Sequence, residues 1–109
     1  MAEPEEVARF RLTKAGAQSR IRSVAQDSAN LVWSNHARSR MTERGIDDSD
    51  VLRVMRGGFV DEDPVQTERG EWQCKITKPI RGGRDAGVVT IILHGGRLFL
   101  KTVEWEDRK

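Results

Sequence analysis

The 109-residue chain reads as a single α+β domain, with helices first and an antiparallel sheet of three or four strands after them. Three observations carry that reading. Apolar residues recur at helical spacing as far as Met55 and at alternate positions after Gly57-Gly58. His94-Gly95-Gly96-Arg97 is a tight-hairpin signal, because paired glycines admit the positive φ angles of a primed turn. The length is also close to the commonest domain size, which leaves no room for a second core.

The elements follow in order. Residues 1–12 read as a flexible acidic segment and residues 13–109 as the domain. Ala17, Ile21, Val24, Ala25 and Ser28 share one face, which predicts a helix over about 13–29. Leu31-Val32-Trp33 is an apolar connector too short for a helix. The next helix, 35–44, has Ser34 or Asn35 as N-cap and Gly45 as its left-handed stop. Ile46 then falls where it can pack back on Met41. Asp47 caps a third helix, 48–56, with Asp48 and Asp50 in its positive first turn. Val51, Leu52, Val54 and Met55 give that helix its buried side.

Phe59-Val60 suggests a short strand before the acidic turn Asp61-Glu62-Asp63-Pro64. Trp72, Cys74 and Ile76 alternate with Gln73, Lys75 and Thr77, a half-buried strand over 72–78. Ile80 to Asp85 reads as a flexible basic loop. The β-branched run of 87–94 fits a central strand, and 97–105 completes the sheet.

Composition narrows the function. No run approaches 18 apolar residues, so no membrane span is expected. The acidic start does not read as a signal peptide, and a single cysteine, Cys74, excludes an internal disulfide. A cytoplasmic protein is therefore expected. Two histidines without paired ligand spacing argue against a metal site, and nothing calls for a cofactor.

The net charge of +2 conceals two basic segments. Arg9 to Arg44 holds eight cations against Asp27 and Glu43, and Lys75 to Lys101 holds six against Asp85. Fourteen of the 19 cations are arginine, whose planar fork suits bidentate phosphate contacts. The two segments can converge on one anion-binding face, with RNA as the expected partner. Alternatively, they are ordinary solvated patches.

His36, Arg40 and Arg44 are spaced one turn apart on a helix, along a stripe that borders the apolar strip of Ala37 and Met41. Histidine as a residue type titrates near neutrality, so the row can hold a phosphate and exchange a proton. Equally, Arg40 and Arg44 can tie the helix to carboxylates such as Glu104 or Asp61.

The run His36-Ala37-x-x-Arg40-Met41-x-x-Arg44-Gly45-Ile46, followed by Asp50-Val51, Val54-Met55 and Gly57, resembles a widespread family of small bacterial proteins grouped as a domain of unknown function. That family is similar to the RelE and MqsR toxins of the barnase-like ribonuclease superfamily. The resemblance covers about residues 31–105. It implies a helix-plus-antiparallel-sheet fold, metal-independent RNA cleavage and an acidic antitoxin as partner. The helix at 13–29 is less typical and could be a partner-binding addition.

Cleavage without metal needs a base, an acid and cations for the phosphorane charge. His36 is the candidate proton carrier, with Arg40 and Arg44 on the phosphate. Lys101 is the favoured second catalytic group, with Lys75 and His94 as alternatives. Lys75, Arg81, Arg84 and Arg97 are candidate RNA contacts. Cys74 reads as core, and Trp33, Trp72 and Trp105 as core anchors or base-stacking platforms. A non-catalytic module binding nucleic acid or protein through the same groove is the competing reading.

Overall fold

A computed structural model of the chain describes residues 10–107. Helix α1 spans Lys14–Val24, α2 Asn35–Arg44 and α3 Asp48–Gly57. The strands are β1 Leu31–Trp33, β2 Phe59–Val60, β3 Val65–Gln66, β4 Trp72–Arg81, β5 Arg84–Ile92 and β6 Leu98–Trp105. The class is α+β, as the change of period predicts. Most of the tail assigned to 1–12 lies outside the described residues. Leu12, however, is buried, so the core begins before residue 13.

The caps act where the sequence places them. Ser34 Oγ accepts the Ala37 N–H at 2.9 Å and starts α2. Gly45, at φ 68°, ends it, and the Ile46 N–H returns to the Met41 carbonyl at 3.0 Å. Asp47 and Asp50 form a reciprocal capping box on α3. α1 stops five residues earlier than expected. Asn30 takes the Val24 carbonyl with its side-chain amide, and Asp27 accepts from the Ala29 N–H. Such side chains compete with the helix for backbone groups, and a short 3₁₀ turn, Ser28–Asn30, replaces the last turn.

The sheet has six strands and is mixed, larger than the three or four antiparallel strands expected. Its order is β1-β6-β5-β4-β2, with β3 also pairing β4. β1 is the connector Leu31-Val32-Trp33, which runs parallel to β6. The remaining pairs are antiparallel. The expected basic loop at 80–85 is instead a hairpin: β4 continues to Arg81, and Gly82 and Gly83, both at positive φ, turn directly into β5.

Cys74, Ile76, Ala86, Val88, Ile92, Leu98, Leu100, Val103 and Trp105 are buried on one face of the sheet. The helices stack there, α2 against β6 and α3 against β4 and β5. The other face carries Gln73, Lys75, Val89, Ile91, Phe99, Lys101 and Glu104, each half-buried or exposed. Strand β6 changes phase between these faces. Val89 pairs Thr102, whereas Thr90 pairs Leu100, so Lys101 is the extra residue of a β-bulge.

Candidate functional site: the uncovered sheet face

The row on α2 is only partly a free surface. His36 is exposed, and no hydrogen bond joins it to another titratable side chain among the described residues. Arg40 pairs with Glu43 one turn further along. Arg44 donates to the Val103 carbonyl at 3.1 Å, while its own carbonyl accepts the Trp105 indole N–H at 2.9 Å. The clamp that the sequence allowed for exists at Arg44, but its partner is backbone, neither Glu104 nor Asp61. Arg38, on the far side of the wheel, bonds Asp48 at 2.7 Å and lies over the Trp33 ring at 4.2 Å.

Three of the proposed RNA contacts are engaged within the fold. Arg81 bridges the Gly45 carbonyl and the buried Asp50. Burial opposes ionisation of Asp50, but hydrogen bonds from the Asp47 backbone and from Arg81 outweigh it and hold the carboxyl below its ordinary range. Arg84 forks onto Asp107 and covers the Trp105 ring at 4.1 Å. Arg97 reaches the Ala29 carbonyl at 3.4 Å. Cys74 is core, as expected, and burial pushes its thiol up to about 11.

Lys75 stands on the uncovered face between Glu106 at 2.8 Å and Glu104 at 3.3 Å. Its bond to Glu106, more than that to Glu104, raises the ammonium pKa against the opposing effect of burial. Burial in turn raises the Glu106 carboxyl, helped by Glu104 and opposed by Lys75. Asp61, Glu62 and Asp85 line the same small pocket of about 160 Å³. This end of the face is acidic and repels phosphate.

Further along the same strands, Lys101 Nζ meets Gln73 Oε1 at 3.3 Å. A groove of about 460 Å³ opens beside it, between β4–β6 and the segment that follows β3. Val65, Gln66, Thr67, Glu68 and Arg69 line it from one side and Gln73, Ile91 and Lys101 from the sheet, so two cations face one carboxylate. Arg69 and Lys101 have no carboxylate within 4 Å among the described residues.

The wall carrying Arg69 is fixed by backbone bonds, Thr67 N–H to the Glu71 carbonyl at 2.7 Å and Gly70 N–H to the Thr67 carbonyl at 2.9 Å. His94 ties this wall to the β5–β6 turn. Its N–H donates to Glu71 at 3.1 Å, and its ring Nε2 meets the Arg69 carbonyl at 2.8 Å. His94 therefore positions the groove. At this groove the two basic segments do not merge. Lys101 is the predicted catalytic residue that lines this groove, whereas His36, Arg40 and Arg44 belong to a helix packed on the opposite face.

Sequence reasoning missed Arg69 and strand β3. Two residues of β structure give no periodic signal. The bulge does leave one: buried Leu98, Leu100, Val103 and Trp105 are spaced two, three and two apart, and the three marks the phase slip at Lys101.

A helical layer on one side of a mixed sheet, with a partly basic groove on the bare side, defines a small α+β fold. Residues 33–105 match the family described as Domain of unknown function (DUF4258), and the chain belongs to that family. No curated protein and no solved structure matches the chain.

Proposed function

We propose that the protein binds RNA in the groove of the uncovered sheet face, as a binding module without a cleavage step of its own. The observation that carries this reading is the β-bulge that turns Lys101 out beside Gln73, with Arg69 lining the same groove. Bulges are over-represented where a side chain is re-aimed next to a working site. Two cations without carboxylate partners suit phosphate oxygens, while Ile91 offers an apolar surface and Gln66 and Gln73 offer amides to a base edge.

Cleavage has weaker support. It needs two proton carriers at one phosphate. His94 is occupied by the Arg69 carbonyl, and His36 begins a helix stacked on the other face. As one half of a toxin–antitoxin pair, the protein would present this groove to an acidic antitoxin.

The test is fluorescence anisotropy with an unstructured labelled RNA. Binding should weaken with salt through counterion release, and Lys101→Ala and Arg69→Ala should each flatten the salt slope. No binding at low ionic strength, or full binding by the double variant, would overturn the proposal. His36→Ala should bind as the parent does.

A protein ligand is the second reading, favoured by the acidic end of the same face around Lys75. Saturable binding of a labelled basic peptide, with no RNA binding at low ionic strength, would favour it.

A further inference from the structure

Away from the bare sheet face, α1 and α3 end beside each other and exchange arginines. Arg22, from the last turn of α1, donates to the Gly58 carbonyl at 2.8 Å and the Gly57 carbonyl at 3.1 Å. Arg56, from the last turn of α3, donates to the Ala25 carbonyl at 2.8 Å and the Gln26 carbonyl at 3.2 Å. Each guanidinium thus closes the other helix's C-terminus. Lys78 of β4 extends across Gly57, and a Cβ built there would lie 3.6 Å from its Cε and 3.8 Å from its Nζ.

Arg22 and Lys78 therefore both reach Gly57, while Arg56, the residue before it, reaches across to the end of α1. None has a carboxylate within 4 Å among the described residues, whereas Arg38, Arg40, Arg53, Arg81 and Arg84 each pair with one and Lys75 with two. We propose that Arg22, Arg56 and Lys78 form a binding site for a phosphate group at the joined ends of α1 and α3.

The chemistry favours an oxyanion. A guanidinium has five N–H donors, and each arginine commits only two to the carbonyls, so three remain. Anchoring one edge of the fork fixes the plane of the rest, so little further freedom is lost when a phosphate arrives. Lys78 adds a compact ammonium beside the two planar groups. Without an anion the three charges repel one another. The satisfied carbonyls offset only part of that repulsion, because a helix end carries about half an elementary charge.

The phosphate can belong to a free phosphorylated molecule or to a nucleic-acid backbone. The site does not depend on RNA binding in the groove, which is lined by other residues on the sheet's other face.

The test is a two-dimensional amide NMR titration of the whole chain with inorganic phosphate, against chloride at matched ionic strength. The Gly57 and Gly58 amides and the side-chain Nε–H signals of Arg22 and Arg56 report on the site. Saturable shifts specific to phosphate, with affinity at least five-fold weaker in Lys78→Gln, are the expected result. The Lys78 ammonium makes no hydrogen bond among the described residues, so an otherwise unchanged spectrum will show that this variant is folded. Absence of saturable shifts, or shifts equal in Lys78→Gln, would overturn the proposal.

A parallel titration with an unstructured oligoribonucleotide separates the sources. Shifts at Gly57 at lower concentration than with inorganic phosphate assign the site to a nucleic-acid backbone. Shifts with phosphate alone assign it to a free phosphorylated molecule. Arg69→Ala, which removes a groove contact, should leave the phosphate shifts at Gly57 unchanged, so failure of the RNA reading stays distinct from failure of this one.

Discussion

Arg44 and Arg40 lie one turn apart on α2 and are held by different kinds of partner. Arg44 reaches across to the Val103 carbonyl, a backbone acceptor inside the sheet. Removing it leaves that carbonyl short of a donor, so Arg44→Ala should cost about 1–2 kcal/mol in denaturant unfolding. Arg40 pairs with Glu43 on the exposed side of its own helix, and Arg40→Ala should move stability by about 0.5 kcal/mol or less. Equal losses would mean that the Arg44 contact carries no stability. Asp50 supplies an acid-dependent contribution. Its carboxyl is held below the ordinary 3.8, so its stabilisation is present above that pH and is lost as pH falls through the folded-state value. In urea titrations Asp50→Asn should be less stable than the parent at pH 7, by about 1.5–3 kcal/mol. The gap should close as pH falls below about 3.8. A gap that stays constant with pH would contradict the ion pair with Arg81.

Helices of about ten residues are marginal alone and need closed ends and a buried side. α3 has both, a capping box at its start and Arg22 on its last carbonyls. The step from α3 into β2 is set by close backbone approach. A Cβ at Gly58 would fall 2.5 Å from the Val54 carbonyl oxygen and 2.7 Å from that of Thr77, neither of which can give way easily. At Gly57 the nearest atom is the flexible chain of Lys78, at 3.6 Å. Gly58→Ala should therefore cost about 3 kcal/mol, and Gly57→Ala should be neutral or stabilise by up to about 1 kcal/mol. Thermal unfolding of the two variants checks this contrast, and similar melting temperatures would refute it.

Across the whole molecule, one sheet face is shielded by helices and the other is bare. β5 and β6 carry Val88, Thr90, Leu98, Leu100 and Val103, half of the largest fully buried side chains among the described residues. β3 is two residues long and pairs on one side, with Val65 exposed. Amide hydrogen exchange should accordingly be slowest in β5 and β6 and fast in β3. Protection of Val65 and Gln66 matching that of Val88 would show that the groove wall belongs to the cooperative core. The bare face is also electrically divided along β4, from the carboxylates around Lys75 to the cations Arg69 and Lys101.

What the sequence determines by itself is local. Ser34, Gly45, Asp47 and Gly57-Gly58 mark helix ends because capping depends on residues within one turn of each other. The alternation of Trp72-Cys74-Ile76 and the Gly95-Gly96 turn likewise determine strands and a hairpin without reference to distant residues. Other outcomes belonged to the tertiary structure alone. Leu31-Val32-Trp33 became a strand because β6 offered it a parallel edge, a pairing some 67 residues apart. The early end of α1 is a local matter that leaves no periodic signal: Asn30 bonds the Val24 carbonyl, and Asp27 caps the following 3₁₀ turn at the Ala29 N–H. For the candidate site, Lys101 was legible and Arg69 was not, and the employment of the other cations could not be read. Arg81 and Arg84 are committed to carboxylates and Arg44 to a carbonyl, whereas Lys101 is turned into an open groove by a single inserted residue. A guanidinium takes a carbonyl, a carboxylate or a phosphate with similar geometry. Which of them lies within reach is a matter of long-range packing, and no spacing along the chain encodes it.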